Sequence, residues 1–464
     1  MPDSDAFRRL LMPAAIVLLI ACWLGGGVTA DDTAIDEWLL LLALPVMALA
    51  AATLASEWPR ARILRCGVAV ALLVALLPAL QLLPLPMAWW SLPAGRESMA
   101  ADLSHAGVAA LAPHWSLAPT ATEASLWSML PALAGFLAAL AMPARQRRRL
   151  AQAVVALALV NVGFAFFQAG LPRDSGLRLY QDFDAGFGGL LVNTNHQATA
   201  CIIGMVLAVG LAMEARIRVA RGETRPHAHW WYAGLAGIFL LATPLSTARA
   251  GMAIALPALA AALLLTGGLP VAGIGRSRRA TALALVVAVF AVVGVRAAMG
   301  WMAVDLLEEQ RHIMAGAAVS IGKQQAPFGS GVGGFVQVFE QSAPPSMWLA
   351  QYVNHAHNEY AQWWFEAGWP GMLVLVLVLA LLAASGWRIF RLRGRGGNAI
   401  LAGACFVAIC AVMAHSWADY PLRTTTLMTT TAMLAGVMLA ALADASERSR
   451  RHRRIPPTPA PAPQ

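Results

Sequence analysis

Charge is scarce in this chain. Of its 464 residues only 12% are Asp, Glu, Lys or Arg, about half of what a soluble domain carries. Lysine is nearly missing, with Lys323 the one lysine among 33 basic residues. Cysteine is sparse too. Cys22, Cys66, Cys201, Cys405 and Cys410 all lie inside or at the edge of apolar runs. None has the paired spacing of a zinc centre or a disulfide framework, so they read as packing residues. The apolar runs also lack the alternation of a membrane barrel, and an open sheet leaves edges that lipid cannot satisfy.

What is present is hydrophobic: 59% of the chain, in runs that recur from end to end. Many reach the roughly 20 residues that a bilayer core requires. The expected fold is therefore an all-α polytopic membrane helix bundle of about 12 spans. They fall near 10–30, 38–55, 66–83, 124–142, 150–170, 190–213, 230–248, 250–268, 281–300, 366–386, 399–416 and 424–443. The first run resembles a signal peptide, with Arg8 and Arg9 before it and Val28-Thr29-Ala30 after it; the expectation is a retained helix. Residues 1–443 read as one integral-membrane domain, and 444–464 as a basic, then Pro/Ala-rich, disordered cytoplasmic tail.

The net charge of +9 does not form a nucleic-acid patch. Twenty-five of the 33 basic residues sit in seven clusters between apolar runs, from Arg8 and Arg9 to the Arg448–Arg454 tail. Placing both termini in the cytoplasm puts all seven clusters inside, as the positive-inside rule requires. This predicts a multi-pass protein of the inner-membrane type, with its chemistry on the non-cytoplasmic face. Two outer loops are long, about 84–123 and 301–365, and loops of that length are usually functional or disordered. Within the second, Val304 to Ala318 is expected to lie as an amphipathic helix on the membrane surface. Gly329 to Gly334 reads as a flexible turn.

Arg249 is the only charged residue between Arg225 and Arg276. It divides a long apolar stretch into two crossing lengths, which puts it at an outer turn. An arginine at the bilayer centre costs about 2.5–3.5 kcal/mol on insertion scales. It therefore belongs at the boundary, as a snorkelling residue or as an anion site whose planar fork suits phosphate. The segment Asn354–Gly371 concentrates His355, His357, Glu359 and several tryptophans where the second outer loop meets a span. The tryptophans suit an interfacial belt, whereas a histidine there can serve as a base near neutral pH. His357, Ala361, Trp364, Gly368 and Gly371 fall at helical spacing, predicting one close-packing face.

His357-Asn358, nine residues, Gly368-Trp369-Pro370-Gly371 resembles the signature of the bacterial O-antigen ligase and O-antigen polymerase superfamily. Thr247-Ala248-Arg249-Ala250-Gly251 is similar to that family's arginine turn. Asn193-Thr194-Asn195-His196 is similar to its Asn-x-Asn segment opening a span. His415-Ser416 with Asp419-Tyr420-Pro421-Leu422 is similar to its late outer turn. Ligases often continue with Thr-Thr after the last glycine, where this chain has Met372-Leu373. The resemblance covers about 80–430 and implies a GT-C-like fold with a long periplasmic loop carrying short helices. It implies metal-independent, inverting transfer of a glycan from undecaprenyl diphosphate, without a cofactor, in surface polysaccharide or lipopolysaccharide biosynthesis. The acceptor would be a glycan or lipid A-core hydroxyl, and polysaccharide-assembly proteins would be the partners.

By that resemblance His357 activates the acceptor and Arg249 binds diphosphate. Arg178 is the expected second arginine, with Arg311 and Arg423 as rivals. His196, Asn195, Asn358, Glu359 and Asp419 would contact the diphosphate or the glycan. Other readings are a metal-dependent lipid-linked glycosyltransferase using Asp182 and Asp184, a protein O-oligosaccharyltransferase, and a non-enzymatic lipid or glycan transporter. A transporter would be expected to carry charges or breaks deep in several spans, or inverted repeats, and the sequence shows neither clearly.

Overall fold

The long Leu/Ala-rich runs fold as helices because lipid offers the backbone no partners and a helix satisfies its own. The computed structural model describes residues 4–28, 34–56, 61–108, 112–172, 174–179, 186–267, 306–347 and 353–454. Ten helices among the described residues are long and apolar enough to cross a membrane by length and composition. The protein is an all-α, polytopic membrane protein. The expected span at 281–300 lies outside the described residues.

The helices run in chain order as α1 (Ser4–Gly25), α2 (Ala34–Ser56), α3 (Arg62–Gln81), α4 (Met87–Trp90), α5 (Glu97–His105), α6 (Pro119–Ser128) and α7 (Leu130–Ala141). They continue as α8 (Ala144–Ala169), α9 (Thr194–Ala220), α10 (Ala228–Ala242), α11 (Arg249–Thr266), α12 (Leu306–Gln324) and α13 (Phe335–Ser342). The last three are α14 (Glu359–Leu392), α15 (Gly397–His415) and α16 (Thr425–Arg454). Helix α10 is shorter than the span expected at 230–248; Pro244 opens a 3-10 turn, Thr243–Ser246, that ends it.

The most buried span is α9, packed against α8, α10, α11 and α15. Beside it α16 packs on α7, α15 and α1. The end of α1 is tied to α16, with buried Trp23 donating from Nε1 to Thr430 Oγ1 at 3.1 Å. At the opposite end of α16, Asp444 pairs with Arg147 of α8. The helix then continues to Arg454, ten residues beyond the boundary expected at Asp444, because Asp444 is held by its neighbours and Glu447 pairs with Arg451 one turn on.

The two outer loops differ most from expectation. The amphipathic segment forms α12, but its apolar face does not rest on lipid. Met314, Ala318 and Ile321 are buried in a cluster with Phe335, Phe339 and Phe365, so α12 docks on α14. The Gly329–Gly334 turn is a packed one. It lies on a break in α14 at Gly368, whose φ of 54° and ψ of −149° leave the helical region. Pro370 has no N–H, so the carbonyl of Glu366 loses its helical donor. It is satisfied instead by Gly331 N–H at 2.9 Å and by Gln81 Nε2 at 3.0 Å. Ser330 N–H bonds the Phe365 carbonyl at 3.0 Å, and Trp369 N–H bonds the Pro327 carbonyl at 3.0 Å. A side chain at position 368 would start 2.4 Å from the Pro327 oxygen, so glycine is required there.

Candidate active site

Three helices present their N-termini to one region. Among the described residues, the non-glycine residues with left-handed backbone are Val192 (φ 58°), Thr247 (φ 59°) and His357 (φ 49°). Each immediately precedes the N-cap of α9, α11 or α14. Such conformations cost on the order of 1–3 kcal/mol and gather at functional sites. Here the cost buys abrupt helix starts that put Asn195, His196 and Arg249 in the first turns of their helices and His357 just before its own.

Local caps fix these starts. Asn193 Oδ1 accepts from Asn195 N–H at 2.8 Å, and Asn358 Oδ1 accepts from Ala361 N–H at 3.0 Å. The expected helical face including His357 therefore needs correction. His357 precedes the N-cap Asn358, and Gly368 breaks the helix, so residue spacing counts through two non-helical positions. The start of α11 lies against the start of α9: a Cβ on Gly251 would fall 2.4 Å from Ala198 Cβ. That approach brings Arg249 and the Asn195–His196 pair to the same end of the bundle.

The turn between α15 and α16 supplies the other half. It is stitched to the start of α14 by Glu359 N–H to the Ser416 carbonyl at 2.8 Å, and by Leu422 N–H to Glu359 Oε1 at 2.6 Å. These bonds set Asp419 beside His357, with Oδ1 3.3 Å from His357 Nδ1. The other carboxylate oxygen lies 3.9 Å from His196 Nε2. Tyr420 stands among three histidines, its ring centroid 4.1 Å from that of His355, 5.0 Å from His357 and 5.1 Å from His196. Thr199 Oγ1 is 2.7 Å from His415 Nδ1 and donates to the Asn195 carbonyl at 3.1 Å. The hydroxyl proton is thus used, so His415 Nδ1 is the donor to Thr199.

The electrostatics favour an ionised Asp419. Burial pushes its carboxyl up. The His357 hydrogen bond, with the fields of His196, His357 and Arg311, outweighs burial and holds it well below the usual carboxylate range. Burial lowers His355 to about 3, with Arg423 and His357 acting in the same direction. His355 is thus a neutral imidazole at physiological pH. Burial, then Asp419, raises the Tyr420 phenol. Asp419 Oδ2 and both ring nitrogens of His196 are buried without a hydrogen-bond partner among the described residues. Such atoms are rare in folded proteins, and here they collect beneath His357.

The structure brings together His357, Asp419 and His196, with Asn195 adjacent. Arg311, on α12, projects its charge onto Asp419 and Tyr420. Arg423 is committed to an ion pair with buried Glu366, at 2.8 Å. Arg178 is turned to its own loop, donating to the carbonyls of Leu171 and Pro172 at 2.9 Å each. Glu359 and Asn358 spend their side-chain oxygens on backbone N–H groups. Asp182 and Asp184 lie outside the described residues.

Tyr420, Gln362 and Glu366 carried no role in the sequence reading. Gln362 and Glu366, one turn apart, form a chain in which Gln362 Nε2 lies 3.2 Å from His355 Nδ1 and donates to Glu366 Oε1 at 3.0 Å. Their i, i+4 spacing was the available signal.

Residues 202–376 match the family model Wzy_C, described as O-Antigen ligase. The matched segment includes Arg249, Arg311 and His357, and excludes His196 and Asp419. The match supports the O-antigen ligase/polymerase superfamily and a lipid-linked glycan ligase-type function in general. No curated protein matches the chain.

Proposed function

We propose that this chain, a multi-pass membrane protein of the O-antigen ligase/polymerase superfamily, transfers a glycan from undecaprenyl diphosphate to a sugar hydroxyl at the periplasmic face of a bacterial inner membrane. The observation that carries the reading is the His357–Asp419 pair, within the field of Arg311 and at the same end of the bundle as Arg249. With Nδ1–H directed at Asp419, Nε2 of His357 is the atom left to accept a proton. The acceptor oxygen attacks the anomeric carbon, its proton passes to His357 Nε2, and the bond to the diphosphate oxygen breaks. The diphosphate leaves on its lipid. One displacement inverts the anomeric centre, and the negative charge gathering on the leaving group is met by guanidinium groups. The reading needs no metal.

A purified-protein assay with a lipid-diphosphate-linked glycan and a sugar acceptor tests this. Transfer with release of undecaprenyl diphosphate, undiminished by chelator, is the expected result. Loss of transfer on chelation, or movement of intact donor between leaflets without bond cleavage, would sink it. Glycan profiling of a deletion strain then separates ligase from polymerase. Lipid-linked polymer that is made but not attached marks the ligase, and a single capped unit marks the polymerase.

Arg249→Lys should lose turnover by roughly tenfold, with donor affinity weakened in parallel. It keeps the charge but not the planar fork, and one lost charge-assisted hydrogen bond is worth about 1.5–3 kcal/mol. Wild-type kinetics in this variant would show that charge alone is sufficient at this position.

A further inference from the structure

The far end of α14, away from His357, carries a second concave site. From Trp369 to Leu392 the helix rises roughly 36 Å at about 1.5 Å per residue, more than the ~30 Å hydrocarbon core. Its last turns therefore stand at the opposite headgroup level. There Trp387, Phe390, Arg391, Arg393 and Arg395 line an open surface hollow of about 550 Å³. The Trp387 and Phe390 rings are stacked, with centroids 6.4 Å apart and planes at 21°. The Arg393 guanidinium lies over the Phe390 ring at 4.3 Å. Arg393 and Arg395 alternate with Gly394 and Gly396, both in left-handed backbone, which turns the chain tightly enough to keep the guanidinium groups on one rim.

Other arginines at this end of the bundle are paired. At the same end, Arg147 pairs with Asp444, and Arg148 pairs with Glu214 at 3.3 Å. Among the described residues no carboxylate pairs with Arg391, Arg393 or Arg395. Three cations on one wall of the hollow repel one another unless an anion joins them.

The surface leading to the hollow identifies the kind of anion. Leu373, Leu377, Ala380, Ala384, Trp387 and Arg391 are all exposed. They follow one another at alternating steps of four and three, so they form one stripe along α14. The small side chains of Ala380 and Ala384 leave room for an acyl chain, a groove in the stripe between the bulkier Leu377 and Trp387. The stripe thus runs from an apolar groove of acyl-chain length to a guanidinium rim. A free phosphate would use the rim alone, whereas a lipid uses both. Basic pockets next to membrane helices are suited to anionic headgroups.

We propose that the Arg-rich end of α14 is a binding site for one anionic phospholipid, its phosphate held by Arg391, Arg393 and Arg395 and an acyl chain lying along Leu377, Ala380, Ala384 and Trp387. The site is distinct from the His357 cluster and does not depend on the transfer reading.

The full chain, purified in detergent and supplied with phosphatidylglycerol or phosphatidylcholine, is read by native mass spectrometry. The expected result is one phosphatidylglycerol retained per chain through washing, with phosphatidylcholine not retained. Arg391→Gln/Arg393→Gln/Arg395→Gln should reduce retention at least tenfold. Arg448→Gln/Arg450→Gln/Arg451→Gln, which removes the same charge elsewhere, should leave it unchanged. Ala380→Phe/Ala384→Phe, which fills the groove without altering charge, should also release the lipid. Equal loss from the two arginine triples would reduce the effect to general charge attraction and overturn the proposal. So would displacement by millimolar inorganic phosphate together with indifference to the groove variant, which would leave only a free-anion site. Size-exclusion profiles matching wild type establish that each variant is folded.

Discussion

Replacing His357 with alanine should lower turnover about 10²- to 10⁴-fold, the range that a positioned proton acceptor contributes. Donor binding should be nearly unchanged, because the guanidinium groups that would hold diphosphate are on other elements. Histidine is several-fold commoner than most residues at positive φ, but a single left-handed alanine costs only about 1–2 kcal/mol, so folding should survive the change. Asp419→Asn should give a smaller loss, roughly 10- to 100-fold, since a charge-assisted hydrogen bond is worth about 1.5–3 kcal/mol. His355→Ala is the control that separates the two histidines. His355 loses its proton at about 3, so it is neutral above that value and does not titrate where activity is measured. Its removal should leave the acid limb of the kcat/KM profile in place, whereas Asp419→Asn should move it. Steady-state kinetics from pH 5 to 9 in purified protein decide this. Near-wild-type turnover for His357→Ala would make the residue a structural interfacial histidine and move the catalytic assignment to another residue of the cluster.

The spans were legible because lipid allows few solutions: an apolar run of about 20 residues must be a helix. Arg249 was legible for a related reason, since one charge in a long apolar stretch has nowhere to go but a boundary. Its place at the first position of α11 follows that expectation. The Asn193-Thr194-Asn195 string reads as opening a span, and Asn193 caps the start of α9 by accepting from Asn195 N–H.

Other features depend on what arrives from a distance. The periodicity of 304–318 gives an apolar face but does not say whether lipid or α14 covers it. A glycine-rich string serves a mobile loop and a tightly packed crossing equally well, and Gly329–Gly334 is the second because Pro370 leaves a carbonyl that those residues satisfy. Helical spacing carried His357 into a helix it precedes, since spacing does not register a left-handed residue. The contact of His357 with Asp419 spans 62 positions and rests on the stitching through Glu359 and Leu422. Glu359, read as a ligand of substrate, is therefore better described as a residue that positions the turn. Arg178 met the expectation of an arginine before the Asn-x-Asn segment, yet its guanidinium is spent on carbonyls six and seven residues back.

Arg423→Gln should be the most destabilising single change near the site. Glu366 is fully buried, and Arg423 reaches it from the turn before α16 at 2.8 Å, with the arginine side chain 18% exposed. Removing one partner of a buried ion pair costs about 3–5 kcal/mol, because the remaining charge is stranded in a medium of low polarity. Partial exposure of Arg423, and the bond from Gln362 to Glu366 at 3.0 Å, place the expected loss near the lower end, about 3 kcal/mol. Adding Glu366→Gln to Arg423→Gln should recover most of it, since a neutral amide keeps a hydrogen bond with Gln362 and strands no charge. Thermal unfolding in one detergent, at one scan rate, compares the three proteins. The same variants separate two roles for Arg423. If it serves only the pair, the double variant regains activity along with stability. If it also contacts diphosphate, the double variant is stable yet weak in donor binding, and the rivalry with Arg311 is settled in its favour. A single variant as stable as wild type would mean that the pair is solvated and that Glu366 is held by Gln362 alone.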